Sequence, residues 1–294
     1  MIAWGTNFWE MREMLQKNDL MIKARLRRIL GDDGVRLLKK VTGRDQFDEC
    51  RLVHQAFKAH GQGGVMLDVG AHHGIELAMF VSLGWRVYAF EPDPKNRQHL
   101  VTSFGNHPRV SIDTRAVSDT AGQELAFFTS DVSTGISGLS AFHASHTETQ
   151  KVVTTTIAEF VAEEKITRID FLKIDVEGFD FFVIKGIDWN GVTPDVILWE
   201  FEDSKTLPLG YSAQDAYDYL IAKDYKVTIS EWHPIGEYGQ KHSWKRFCDS
   251  PGELSERAWG NMIAFRDRPQ FQELASENID TLARRNFPTH YQPA

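Results

Sequence analysis

Apolar runs of strand length recur along the chain at residues 65–69, 87–90, 169–174 and 196–201. Apolar residues fill successive rather than alternate positions in them, which predicts strands buried on both faces, as in a parallel sheet covered by helices. Between these runs, residues 75–83 and 94–104 have helical spacing and predict crossover helices, the second stopped by Gly105 and Asn106. Ser212 and Asp215 have the form of a capping box and open a helix expected to end near Tyr225. Upstream the period is helical, with helices predicted at 8–30, 33–41 and 45–60 before Gly61, Gly63 and Gly64 break the pattern.

Two segments depart from simple alternation. Residues 124–130 and 151–156 are rich in β-forming residues and flank a Gly, Ser and His loop at 134–146, which predicts a hairpin-like insertion between the third and fourth core strands. Residues 225–232 and 261–265 predict a second strand pair separated by a long aromatic, Gly-rich segment. The organisation read from these patterns is a helical extension at 1–62, an α/β domain at 63–268 and a helical tail at 269–294.

Composition adds little: 42% hydrophobic and 25% charged residues are an ordinary globular balance that excludes a disordered chain. Charge adds more. Of 33 Lys+Arg and 41 Asp+Glu, 10 and 5 fall in residues 1–44, so that segment carries +5 and the remainder −13. The main body suits a cationic or neutral ligand and repels phosphates, so no nucleic-acid partner is expected. Cys50 and Cys248 cannot make a disulfide framework. No apolar stretch approaches the roughly 20 residues that cross a bilayer, and residues 1–10 lack the order of a signal peptide. A cytoplasmic protein is expected. Leu and Ile among basic residues at 17–30 fit a peripheral helix at the inner face of a membrane, or a cap on the core or on a second copy of the chain. Phe8, Met11, Met14 and Leu15 recur at helical spacing and favour the cap.

Candidate chemistry begins where the first run ends. Residues 65–74 read as strand, turn and helix start, with Asp68 at the strand tip and Gly70 and Gly74 permitting close backbone approach. A G-x-G-x-x-G fingerprint would need glycine where His72 stands, which argues against a nicotinamide cofactor. The next strand ends in Glu91, 23 residues beyond Asp68, where a carboxylate accepts both hydroxyls of a ribose. Asp68 opposes phosphate and tolerates an ammonium and a sulfonium, so the pair points to S-adenosylmethionine (SAM). The plainer alternative is that Asp68 caps the following helix and Glu91 is a solvated turn residue.

The motifs DVGAHHG at 68–74, AFEPDP at 89–94, RAVSD at 115–119 and DFLKIDVEG at 170–178 resemble those of FkbM-type SAM-dependent methyltransferases, over about residues 64–268. The resemblance implies a class I methyltransferase: a Rossmann-like α/β fold with a seven-stranded, mostly parallel sheet whose last strand is antiparallel, here with an N-terminal helical extension. It further implies O-methylation of a hydroxyl on a carbohydrate, glycoconjugate or small secondary metabolite. By the same resemblance Asp68, Gly70, Ala71, His72 and Gly74 border the methionine part of SAM. Glu91 and Pro92 border the ribose, and Ala116, Val117 and Ser118 the adenine. Gly138 stands where the family commonly has a hydroxyl residue.

Lys173, Asp175 and Glu177 emerge at the carboxyl end of a buried run, on the sheet edge where ligands collect. Such charges are costly to bury unless paired or used, and Lys173 could simply close the strand end by pairing with a carboxylate. Glu200 and Glu202 end the next strand with like parity, and adjacent strand ends bring Asp175 near Glu200, whereas Glu202 reads as a loop residue. A neutral hydroxyl is a poor nucleophile, which leaves two catalytic readings. In one, Asp175 takes the proton, aided by Glu200 and a histidine. In the other, Asp175 and Glu200 ligate Mg2+, which binds the acceptor oxygens. His72 is placed to reach acceptor or cofactor, and His73 is expected to pack at the helix start. His143, His146, His233 and His242 fall on expected loops, and no Cys/His spacing suggests zinc. The aromatic segment 230–244 is expected to form an acceptor wall. The rival functions are a non-catalytic scaffold that keeps the cofactor fold and, less favoured, a nicotinamide-dependent sugar oxidoreductase.

Overall fold

The computed structural model describes residues 47–59, 61, 63–131, 134–236 and 242–287. The helices expected at 8–30 and 33–41, and with them the membrane contact through 17–30, lie outside the described residues. Strands follow in the order β1 (Val65–Val69), β2 (Arg86–Phe90), β3 (Val110–Asp113), β4 (Ala116–Val117), β5 (Glu124–Ser130), β6 (His146–Thr155), β7 (Ile169–Ile174), β8 (Pro194–Glu202), β9 (Tyr225–Trp232), β10 (Trp244–Cys248) and β11 (Trp259–Arg266). The α-helices are α1 (Glu49–Ala59), α2 (Leu77–Ser82), α3 (Pro94–Phe104), α4 (Ile157–Glu163), α5 (Asp180–Lys185), α6 (Asp203–Thr206), α7 (Ala213–Ile221) and α8 (Ser276–Asn286).

The main sheet has the order β10-β9-β11-β8-β7-β1-β2-β3. Strands β3, β2, β1, β7 and β8 pair in parallel. β11 inserts antiparallel between β8 and β9, as expected of the last strand. An eighth strand, β10, lies antiparallel on the β9 edge, within the segment whose composition predicts a long loop. Most of its residues are only half-buried, so no inward-facing apolar stripe marks it in the sequence. The chain leaves β1 for β2 and β3 on one side and returns to β7 and β8 on the other. A crevice therefore opens at the carboxyl ends of β1, β2 and β7.

The apolar runs become strands because helices or loops cover both faces: Met66, Leu67 and Val69 of β1 and Phe171, Leu172 and Ile174 of β7 are all buried. The caps that set α3 are legible, since the Asp93 carboxylate accepts from the Lys95 amide at 2.8 Å and Pro94 opens the first turn. The capping box at α7 is also present: the Ser212 amide donates to Asp215 Oδ2 at 2.8 Å, and the Asp215 amide to Ser212 Oγ at 3.3 Å. Three expected boundaries move. α2 begins at Leu77 rather than 75, because Gly74 holds a left-handed φ of 74° inside the turn. α7 ends at Ile221, after which Asp224 turns at φ 63° and Tyr225 opens β9. Thr156 leaves the strand to cap α4, accepting from the Glu159 amide at 3.0 Å.

The insertion is a small separate sheet. β5 and β6 pair antiparallel and β4 joins β6 in parallel, in the order β4-β6-β5. His146 opens β6 instead of lying on a loop. Residues 48–282 form one compact unit, and α1, read from the sequence as part of the extension, belongs to it. Its buried Glu49 accepts from Ser230 Oγ at 2.5 Å and from Trp232 Nε1 at 2.7 Å. Phe47 and Phe287 lie outside that unit, and their rings pack with centroids 4.8 Å apart.

Candidate active site

At the crevice lies a cleft enclosing about 780 Å3, its open mouth included. Its floor is Val69, Gly70 and His72 from the β1–α2 turn with Phe90, Glu91 and Pro92 from the end of β2. Ala116 and Val117 of β4 form one wall, Lys173, Asp175 and Val176 another, and residues 135–139 of the insertion face it. Gly70, at φ 81°, has no alternative residue: a Cβ there would lie 1.9 Å from the Asp175 carbonyl oxygen.

Glu91 is the most committed group in the cleft. Its Oε2 accepts from the His72 amide at 2.7 Å and its Oε1 from the Asp93 amide at 2.9 Å. Burial pushes its carboxyl up to about 7 in spite of those two donors. A carboxylate has about four acceptor sites, so two remain for a pair of hydroxyls. His72 itself adopts φ 49° and stacks on His73 at 3.8 Å between centroids. Burial, and then the His73 ring, lower it to about 4, so it is neutral near pH 7. His73 is not at a helix start; it lies between the rings of His72 and His99.

Asp68 sits beneath the cleft, with no exposed surface. Lys173 Nζ lies 3.3 Å from Asp68 Oδ1 and 3.6 Å from Asp175 Oδ2, and donates to the Gly70 carbonyl at 3.1 Å. Lys173, not Asp68, is therefore the charge of this pair that borders the cleft. Ala71, Gly74 and Ser118 also pack behind the wall: Ala71 and Ser118 are buried, and Gly74 leaves room for Leu100 and Phe104, which a Cβ would meet at 2.6 and 3.0 Å.

Asp175 ends the cleft at the tip of β7, its side chain 46% exposed. Oxygens of Asp175, Glu177 and Glu200 lie within 4.8 Å of one another. Glu177 reaches this cluster through two left-handed residues, φ 57° at Glu177 and 96° at Gly178. The Gly178 peptide is clamped from both ends: its amide donates to Asp180 Oδ2 at 3.1 Å and its carbonyl accepts from Tyr211 Oη at 2.6 Å. At the centre of the acids stands Lys205, which the sequence reading missed. Its Nζ lies 2.7 Å from Glu177, 2.8 Å from Glu200 and 3.0 Å from Glu202. Glu202 is thus an ion-paired strand end and not a loop residue. The legible signal was Glu202-x-x-Lys205 directly after a buried run. Burial raises Glu200 to about 7, and it raises Glu177 well above the usual carboxylate range.

Within the segment expected to form an acceptor wall, 230–244, Ser230, Trp232 and Trp244 serve packing, whereas Ile235 and Gly236 line a second cavity. Ser230 and Trp232 hold Glu49, Trp244 Nε1 donates to Ser230 Oγ at 3.0 Å, and residues 237–241 lie outside the described residues. His143 Nδ1 meets Ser145 Oγ at 2.7 Å, His146 Nε2 meets the Ile136 carbonyl at 2.9 Å, and His242 packs on Trp259 at 5.0 Å. His233 is exposed. None of these four lines the cofactor cleft.

The donor set fits SAM. Glu91 offers two acceptor sites for the ribose hydroxyls, and Phe90, Ala116, Val117 and Phe127 give apolar walls for a flat heterocycle. Lys173 opposes the carboxylate of an amino-acid moiety. Glu91 has no such match to a pyrophosphate, whose charge it repels.

A family model for the methyltransferase FkbM domain matches residues 68–227. No curated protein matches the chain. Among solved structures, precorrin-6y C5,15-methyltransferase from Geobacter metallireducens is similar at 12% identity and a TM-score of 0.40, over 74% of this chain and 87% of that one. A putative RNA methyltransferase from Pyrococcus horikoshii is similar at 11% identity and a TM-score of 0.37, over 74% and 82%. Precorrin 8w decarboxylase from Methanobacterium thermoautotrophicum is similar at 14% identity and a TM-score of 0.38, over 75% and 91%.

Proposed function

This chain belongs to the FkbM family of SAM-dependent methyltransferases, and from that premise we propose that it O-methylates a hydroxyl of a carbohydrate, glycoconjugate or small secondary metabolite. The observation that carries the proposal is the position of Asp175, which both lines the cofactor cleft and stands within 4.8 Å of the Glu177 and Glu200 carboxylates. The cleft therefore ends at groups able to receive a proton, as an alcohol acceptor requires.

When bound, SAM supplies a methyl group activated on a sulfonium. Glu91 would hold the ribose through its two remaining acceptor sites, and Lys173 would hold the carboxylate of the methionine part. Neutral His72 adds no charge that would repel the sulfonium. Asp175 would accept the proton of the acceptor hydroxyl at a carboxylate oxygen as the hydroxyl oxygen gains the methyl group, the leaving group being the neutral thioether. Glu200, raised to about 7 by burial, is the neighbouring group able to share that proton near neutral pH.

Mg2+ does not fit the cluster. The Lys205 ammonium already sits at hydrogen-bond distance from Glu177 and Glu200, in the place a divalent ion would take.

The test is transfer of tritiated methyl from SAM to a panel of sugars and small alcohols, with the modified atom located by mass spectrometry and NMR. Asp175→Asn is expected to lower turnover by about 100-fold or more while SAM affinity stays within a few-fold. Methylation confined to nitrogen or to RNA would overturn the reading.

A further inference from the structure

We propose that a second cavity, reached from the cofactor cleft across the Lys205 cluster, is the acceptor pocket, and that it takes a sugar ring carrying an anionic group, a carboxylate or a phosphate. This deepens the O-methyltransferase reading and rests on it. The cavity encloses about 590 Å3, open mouth included, and is lined by Phe142, Glu202, Ser204, Lys205, Ile235 and Arg257.

Three observations place it. Lys205 lines the cavity and binds Glu200, whose carboxylate lies within 4.8 Å of that of Asp175 on the cofactor side. Asp175 and Glu200 do not themselves line the cavity, so the acceptor hydroxyl would reach past Lys205 to the proton acceptor while its ring occupies the cavity. The insertion also spans both spaces: Ser137, Gly138 and Leu139 line the cleft, and Phe142, four residues beyond Gly138, lines the cavity. Gly138 lets the loop lie against the acid cluster, since a Cβ there would come to 3.3 Å from Glu177 Cβ. Finally, the half-buried Phe142 ring lines the cavity, with Lys205 Nζ 5.1 Å and the His146 ring 4.6 Å from its centroid.

Charge sets the class of acceptor. The three protons of the Lys205 ammonium match three carboxylates, Glu177, Glu200 and Glu202. Glu202 is in turn bound by Lys205 and by Ser204 Oγ at 2.6 Å. Arg257 differs. It is exposed at the rim on a left-handed residue, φ 57°, and its guanidinium has no hydrogen bond or ion pair with any described residue. Arg115 and Arg246, by contrast, each engage carboxylates at 2.7 Å. A neutral sugar would leave this fork-shaped donor unused, whereas a carboxylate or phosphate matches it locally, against the −13 that residues 45–294 carry as a whole and against the expectation of a cationic or neutral ligand.

The test uses the full chain with S-adenosylhomocysteine bound, and titrates glucuronate, glucose 1-phosphate and glucose by calorimetry. Tighter binding of at least one acid than of glucose is expected, and which acid it is separates carboxylate from phosphate. Arg257→Ala should weaken acid binding about tenfold or more, and Arg257→Lys should retain part of it. Affinity for S-adenosylhomocysteine is the folding control. Glucose binding as tightly as both acids, no binding of any of the three, or acid binding indifferent to Arg257→Ala overturns the pocket. Methyl transfer is scored separately. Arg257-dependent acid binding with no oxygen methylated in any panel member overturns the O-methyltransferase reading alone. Methylation of neutral sugars with no preference for acids overturns the anionic pocket alone.

Discussion

Lys173 Nζ stands 3.3 Å from Asp68 Oδ1, and the two residues are register partners on the adjacent parallel strands β7 and β1. Burial raises Asp68 to about 6 in spite of this neighbour. Lys173→Met would leave the carboxylate buried without its counter-ion and is expected to cost about 3–5 kcal/mol of stability. The double variant Asp68→Leu with Lys173→Met should recover most of that loss while SAM affinity stays impaired, because the amine at the cleft is gone. Urea melts with calorimetry separate the two effects; a double variant no more stable than the single one contradicts the pairing.

Stability should fall as pH rises above neutrality. Burial raises Asp180 to about 8 and Glu91 to about 7, so the folded chain binds these protons more tightly than the unfolded chain does. Their contribution is complete only below the ordinary values of 3.8 and 4.5, and it is lost steadily as pH rises to the raised ones. His72, lowered to about 4, acts in the opposite sense, but only below its ordinary value of about 6.5. Between pH 6.5 and 8.5 the carboxyls decide, and the unfolding free energy of the ligand-free protein should drop by about 2 kcal/mol. Asp180→Asn should flatten much of this slope in denaturant melts.

Methyl transfer should be indifferent to EDTA and to added Mg2+, because an ammonium already neutralises the acid cluster. Lys205→Ala removes it and leaves three carboxylates around an empty centre. That variant is expected to lose turnover and to gain a site for Mn2+, read by the electron paramagnetic resonance of the free ion. Mn2+ binding to the wild-type cluster would contradict the assignment.

Glu91→Gln keeps the side-chain length but replaces one acceptor with a donor that opposes the His72 or Asp93 amide. Affinity for S-adenosylhomocysteine should fall about 10- to 100-fold by calorimetry. An unchanged affinity would remove Glu91 from the cofactor site.

The parallel core and the cofactor turn were legible because their signals are local. Runs such as 196–201 are apolar whichever element covers them, and Asp93-Pro94 and Ser212-Asp215 carry their caps within four residues. What the sequence hid depends on distance in space. Asp68 reads as a strand tip facing ligand, yet its neighbour across the sheet, Lys173, covers it. Lys205 lies on a four-residue helix with no period to betray it, and its importance comes from carboxylates on two different strand ends. Trp232 and Trp244 look like a binding surface in composition, but they are used to anchor Glu49 and Ser230.

Two lysines stand at the site of an alkylating donor, one at the cleft and one beside its catalytic end. Burial alone would strip their protons, but Asp68 and Asp175 for Lys173, and Glu200, Glu177 and Glu202 for Lys205, hold both amines well above their ordinary basicity. An ammonium has no lone pair and is no nucleophile. The same carboxylates that organise the site thereby keep both amines from becoming methyl acceptors themselves.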